Sequence, residues 1–252
     1  MELVFEDTFD GDALDESKWL PYYLPQWSSR ERAAARYTVG GGELRLRIDA
    51  DQEAWCPEWD GELRVSSLQT GVFSGPLGSG RGQQRFHPEA VVREPQEPRR
   101  LYLQYHGRIE TRFKALADPR SMVALWMVGF EDVPERSGEI CVAEIFGRDV
   151  VEGESAKVGM GIHPVGDPGL VEEWDRESLP IDVRDFHVYA AEWDRDGVAF
   201  FVDGEHVKTT RQSPGYPMQL MLSLYEFPDW PGRDEPHPKE FVVDYVRGSR
   251  LI

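Results

Sequence analysis

Long apolar runs are missing from this chain. The longest, such as VALWMVGF at 123–130, extend for about eight residues, far short of the ~20 a membrane-spanning helix needs. The opening MELVFEDTFDG has neither the basic nor the apolar region of a signal peptide. As written, the chain reads as soluble and cytoplasmic. Cysteine is scarce: Cys56 and Cys141 are the whole complement, too few for a disulfide framework and without metal-type spacing. They read as free thiols. Basic residues are in deficit, 28 against 46 acidic, for a net charge of -18. That balance argues against nucleic acid and anionic membrane surfaces as partners and leaves neutral polymers open. Helical periodicity is nearly absent, and nothing in the sequence bears on oligomeric state.

What is present is a succession of short alternating runs separated by glycine, proline and aspartate. FHVYAAEW (186–193), VAFFVDG (198–204) and EHVKTT (205–210) read as three strands joined by tight turns at Asp196-Gly197 and Asp203-Gly204, with φ > 0 expected there. ELRLRID (43–49), GRIETRFKA (107–115), SMVALWMVG (121–129), PMQLMLSLY (217–225) and EFVVDYVRG (240–248) alternate in the same way. Residues 71–100, rich in glycine, proline and charge, break the rhythm and read as a long loop or insertion over a binding face. No repeat or second-domain boundary is evident. The pattern predicts one domain over 1–252, an all-β, two-sheet antiparallel jelly-roll sandwich.

The most informative stretch is GEICVAEIFG at 138–147. On a regular strand, alternation would send Glu139 and Glu144 to opposite faces. One carboxylate would then enter the core unpaired, at a cost of several kcal/mol. A β-bulge near Val142-Ala143 removes the conflict. Glu139, Cys141, Glu144 and Phe146 then share one face, and Ile140, Val142 or Ala143, and Ile145 face the core. Two carboxylates on one face of a cleft suit glycoside hydrolysis with retention, in which one attacks the anomeric carbon and the other protonates the leaving oxygen. The neighbouring charge keeps that acid protonated near neutral pH. The plain alternative is a pair of solvent-facing glutamates.

The same residues carry a resemblance. EICVAE is similar to the E-x-D-x-x-E signature of glycoside hydrolase family 16, the laminarinase-like β-glucanases, and further similarities follow in order along nearly the whole chain. They are FEDTFDGDALDESKW (5–19), YTVGGGELRLR (37–47), GRIETRFKA, ALWMVG, FHVYAAEWDRDGVAFFVDGEHV and FVVDYVRG. The resemblance implies a concanavalin A-like jelly roll with sugar across a concave cleft. It implies Glu139 as nucleophile and Glu144 as acid/base, Trp126 stacking on a sugar beside the cleaved bond, and His163 near the acceptor sugar. It implies a retaining endo-hydrolase of a β-linked polysaccharide, β-1,3-glucan or related, with transglycosylation as a variant of the same mechanism. No cofactor is expected for catalysis.

Two departures bear on these expectations. The aspartate between the glutamates is Cys141 here, which predicts slower chemistry or an altered pH profile. The usual glycine-bearing strand near the end is LSLYEFPDWPG (222–232), with Tyr225 and Trp230 as substitutes for that cleft wall. The family's structural calcium lacks one of its usual ligands, because its opening acidic residue is Thr8 here, although Asp244 remains. Among the tryptophans, Trp19 and Trp193 read as core. Trp27, Trp55, Trp59, Trp174 and Trp230 lie in loop-like segments as candidate sugar platforms, with Trp27 and Trp230 assigned to the substrate site. His187 reads as structural. The alternative from another functional class is a lectin-like sandwich that binds sugar without turnover, with Cys141 as the trace of the loss.

Overall fold

The computed structural model describes residues 1–252. The strands are β1 (Glu2–Asp7), β2 (Arg36–Gly40), β3 (Glu43–Ile48), β4 (Arg64–Gln69), β5 (Gly71–Val72), β6 (Arg99–Arg100), β7 (Gly107–Lys114), β8 (Ser121–Gly129), β9 (Glu139–Val151), β10 (Ser155–His163), β11 (Glu173–Leu179), β12 (His187–Trp193), β13 (Val198–Val202), β14 (Glu205–Thr210), β15 (Met218–Glu226) and β16 (Lys239–Arg250). Only two four-residue helices, α1 (Arg30–Ala33) and α2 (Pro57–Asp60), and a 3-10 turn at Pro25–Trp27 interrupt them.

Two antiparallel sheets form the sandwich. One runs β14-β13-β12-β7-β16-β3-β2, with β1 also on β16; the other runs β11-β10-β9-β8-β15-β4. Alternation places Val123, Leu125 and Met127 of β8 and Leu220, Leu222 and Leu224 of β15 in the inter-sheet core, against Leu44, Leu46, Phe113, Phe200 and Phe241 of the opposite sheet. That core is the main apolar burial of the fold and its principal stabilisation. Trp19 and Trp193 are buried in it, as expected. His187 contacts Asp203 at 2.6 Å and is structural.

The hairpin turns follow different rules. Asp203 and Gly204 both take positive φ, +50° and +83°, the conformation of a type I′ turn. Gly197 does not, contrary to expectation: it is required because a Cβ there would collide with the Thr210 carbonyl oxygen.

Residues 71–100 are tied off by β5 pairing with β6, so 73–98 form a lobe on a two-strand stalk. The lobe packs on the outer face of the six-stranded sheet. Its Ala90 and Val92 join Leu24, Trp27, Trp55, Cys56 and Val65 over Met122, Ala124, Trp126 and Val128 of β8 and Met221 and Tyr225 of β15. The outer face of β8, β15 and β4 therefore carries a second, smaller core. From the outer face of β9, β10 and β11, Phe146 alone packs against it.

Candidate active site

The bulge lies at Val142. β8 pairs Leu125 with Ala143 and Trp126 with Cys141, leaving Val142 without a partner. On the other side, Gly159 pairs with Glu144 and Gly161 with Cys141, so Met160 alone faces two residues. Ile140, Val142, Ala143 and Ile145 all lie in the inter-sheet core. Glu139, Cys141 and Glu144 turn to the outer face together, and the extra residue replaces an unpaired buried carboxylate with an apolar core face.

The start of β9 is held firmly. Tyr216 Oη accepts from the Gly138 amide at 2.7 Å and donates to Asp167 at 2.7 Å. Both oxygens of Glu139 accept hydrogen bonds, Oε1 from the Cys141 thiol at 3.0 Å and Oε2 from the Gln84 side-chain amide at 2.8 Å. Gln84 comes from the lobe. Its neighbour Gln83 is fully buried and donates to Gln219 Oε1 at 2.7 Å, while its carbonyl accepts from Trp27 Nε1 at 2.7 Å. Gln84 sits at φ +49°, and its backbone amide donates to the buried Glu131 at 2.7 Å. The lobe thus delivers one amide to one carboxylate at a backbone conformation uncommon for this residue type.

Burial raises the Glu139 carboxyl, while the hydrogen bond from Cys141, the His163 imidazole and the hydrogen bond from Gln84 pull it back. Glu144 is pushed up to about 7 by burial and by the charge of Glu139. Cys141 is fully buried, and burial with the two glutamates holds its thiol well above the usual cysteine range. It is a neutral donor to Glu139. His163 is the backbone register partner of Glu139, and its Nδ1 lies 2.7 Å from Glu172 Oε1. Burial opposes protonation of that ring, yet Glu172 and Glu139 raise its basicity.

Trp174 is on β11, not in a loop. Its ring covers Gly159, where a Cβ would strike it, and stacks on His163 with centroids 5.7 Å apart. Its buried indole N–H makes no well-formed hydrogen bond but is directed to Glu144, whose charged form it favours. Trp230 stacks on Phe227 at 3.7 Å and on Phe146 at 6.0 Å, with the Arg148 guanidinium 4.1 Å from its ring. Trp230 and Trp174 thus flank Phe146, immediately beyond Glu144 on the open side.

Other expected sugar contacts lie elsewhere. Trp27 is 0% exposed inside the second core and offers no face to a ligand. Trp55 is buried there too, with its indole donating to Asp60. Trp59 lies under the Arg93 guanidinium. Trp126 is on the outer face opposite Cys141 but only 5% exposed, its indole donating to Ser223 at 3.0 Å. Tyr225 is 6% exposed and packs edge-on against Tyr23. Trp27, Trp55, Trp126 and Tyr225 share one cause: they pack together with Leu24, Cys56, Ala90 and Val92 in the second core. Gln84 is the contact that motif reasoning missed, since it carries no motif and lies 55 residues from Glu139.

The residues suggested for calcium do not fit it. Asp244 is paired with the Arg112 guanidinium, and the Thr8 hydroxyl donates to Asp10 at 2.6 Å. A cation there would face a guanidinium, and hard dications take several oxygen ligands. No helix is long and apolar enough to cross a membrane.

Comparison with known proteins supplies the family. Residues 101–247 match the profile of Glycosyl hydrolases family 16. The chain is 27% identical over 272 aligned residues to glucan endo-1,3-beta-glucosidase A1 of Niallia circulans, covering 98% of this chain and 37% of that protein. It superposes on the GlcNAcα1-4Gal releasing endo-β-galactosidase of Clostridium perfringens with TM-score 0.84 and 28% identity, over 98% of this chain and 62% of that one. The laminarinase of Rhodothermus marinus shares the fold at TM-score 0.68 and 23% identity, covering 100% and 98% of the two chains. The chain thus spans less than two thirds of the length of the first two relatives. With a match over more than half of its residues, in the order the strands require, this chain belongs to glycosyl hydrolases family 16.

Proposed function

We propose that the chain is an endo-acting glycoside hydrolase that cleaves a β-linked polysaccharide with retention of configuration, using Glu139 as nucleophile and Glu144 as acid/base. One observation carries this reading: the Val142 bulge puts both carboxyls on the open outer face, in environments that separate their roles. Glu144, up to about 7, keeps its proton near neutral pH and can give it to the leaving oxygen. Glu139 receives two hydrogen bonds that favour its charged form. The amide of Gln84 is the stronger donor and fixes Oε2. The thiol of Cys141 is a weak donor and leaves Oε1 free to attack the anomeric carbon. After departure of the aglycone, Glu144 as carboxylate takes a proton from water, which releases the sugar from Glu139. A sugar hydroxyl in place of that water gives transfer.

β-1,3-Glucan is the substrate class supported by the name of the Niallia circulans relative. A second reading, a chain with β-linked galactose, is favoured by one specific observation: the Clostridium perfringens endo-β-galactosidase superposes at TM-score 0.84. The experiment is reducing-end release from laminarin, lichenan, agarose and a β-galactoside glycan, repeated with Glu139→Gln, with the first-formed anomer followed by NMR. Release that the substitution abolishes, with the β-anomer appearing first, is the expected result. Saturable binding without release would replace the enzyme by the lectin-like sandwich. An α-anomer appearing first would remove the double displacement.

A further inference from the structure

Besides its two carboxyls, the outer face holds a second constellation, built from a cysteine, a histidine and one of the glutamates. Glu139, Cys141 and His163 each offer one ligand atom, and these atoms all lie within 4.8 Å of one another. The placement is set by backbone pairing. Glu139 and Cys141 are two residues apart on one face of β9, and His163 of β10 is the register partner of Glu139. All three stand on strands and not on loops, which favours a fixed geometry. Cys141 Sγ is already 3.0 Å from Glu139 Oε1.

We propose that these three side chains form a binding site for a thiophilic divalent cation of the zinc class, and that occupancy blocks the glycosidase. A tetrahedral zinc with bonds of about 2.0–2.3 Å places its ligand atoms roughly 3.3–3.7 Å apart. The cluster brackets that range, so small side-chain rotations close it. The donor set is one sulfur, one nitrogen and one oxygen, which selects zinc over calcium or magnesium. The aspartate of the family signature would have supplied a hard oxygen in place of the sulfur. The outer contacts are those of a metal site: Glu172 holds His163 Nδ1 at 2.7 Å and leaves the Nε2 lone pair free, and Gln84 holds the other oxygen of Glu139. On binding, the sulfur–hydrogen bond is replaced by a sulfur–metal bond and the proton passes to solvent. The fourth position is left to water. Binding rests only on the cluster. Inhibition rests on the proposed role of Glu139, because the metal takes the oxygen that would attack the sugar.

The test reads binding without substrate. Chelator-treated protein is titrated with Co²⁺, and thiolate-to-cobalt charge transfer in the near ultraviolet is followed with the visible bands of tetrahedral cobalt. Expected are both signals at one equivalent per chain, displacement by Zn²⁺, their loss in Cys141→Ser and their persistence in Cys56→Ser. Zn²⁺ affinity should fall at least about ten-fold in His163→Gln. X-ray absorption of the zinc-loaded wild type should show one sulfur neighbour, which holds even where a variant fails to fold. Absence of the charge-transfer band, or its loss in Cys56→Ser, overturns the site. Metal binding on a chain that hydrolyses no glycan would leave the site standing and overturn the inhibition. Zinc-insensitive hydrolysis by a chain that binds zinc would do the same.

Discussion

The outer face of the six-stranded sheet is divided into two regions of opposite use. Over β8, β15 and β4 it is closed: Trp126, Met221 and Tyr225 lie beneath Trp27, Trp55, Ala90 and Val92 in a second core. Over β9, β10 and β11 it carries Glu139, Glu144, His163 and Trp174 at half-buried positions. The same alternation of side chains made both. What differs is the cover, and the cover is made of residues remote in sequence from those strands, Leu24 and Trp27, Trp55 and Cys56, and Ala90 and Val92. Aromatic residues on a cleft-facing strand therefore do not by themselves mark a sugar platform. The covering lobe reaches the other half of the face through one side chain, the Gln84 amide that meets Glu139.

This comparison can be broken in several ways, beginning with the largest effect. Glu144→Gln should lower turnover by about 10²–10⁴-fold on a substrate with a poor leaving group, and Glu139→Gln should lower it further, both with native-like far-ultraviolet spectra. On the closed side the damage should be to stability instead. Trp126→Ala removes a buried indole and should cost about 3–5 kcal/mol, seen as a lower Tm. Trp174→Ala, on the open side, should cost less in Tm and raise KM. If the two tryptophans behave alike, the division of the face is wrong.

The boundary between the halves gives a smaller effect. Gln84→Ala removes a hydrogen bond to a charged carboxylate, worth about 1.5–3 kcal/mol, and should lower kcat by roughly 10–100-fold. Because the lost bond favoured the charged form, the Glu139 carboxyl should rise and the acid limb of the pH–rate profile should move to higher pH. A change in KM alone would mean that Gln84 contacts only sugar.

The last effect falls on stability and not on turnover, and it is spread over the pH scale. Glu144 titrates at about 7 in the folded chain against 4.5 for an unperturbed side chain. The unfolded chain thus loses this proton first as pH rises. Stability should decline between pH 4.5 and 7 on account of this group, with no further loss above. Glu144→Gln should have the higher Tm above pH 7 and match the wild type below pH 4.5. Equal Tm differences at both ends would contradict the burial of that carboxyl.

Much of this was legible in the sequence, for a physical reason. Strands announce themselves through period-two alternation, and a glutamate that breaks the alternation in an apolar strand forces a bulge, so Val142 could be located to within a residue. The turn at Asp203-Gly204 was legible because positive φ selects those residue types. Gly197 was placed in a turn but for the wrong cause, since close approach of the Thr210 carbonyl leaves no trace in local composition. Trp27 and Tyr225 were misread because burial by a distant segment is invisible from neighbouring residues. Gln84 was missed because an amide in a glycine- and proline-rich lobe is unremarkable until folding brings it 2.8 Å from a carboxylate.

The central claim, that the bulged strand presents two carboxyls with distinct duties to one sugar, is tested most directly by azide rescue. Glu139→Ala and Glu144→Ala should each be inactive on an activated aryl β-glycoside of the sugar the wild type cleaves, and each should regain turnover with azide. Glu139→Ala should give the α-glycosyl azide by a single displacement, and Glu144→Ala the β-glycosyl azide by way of the glycosyl-enzyme. Azide products of the same configuration from both variants would contradict the assignment.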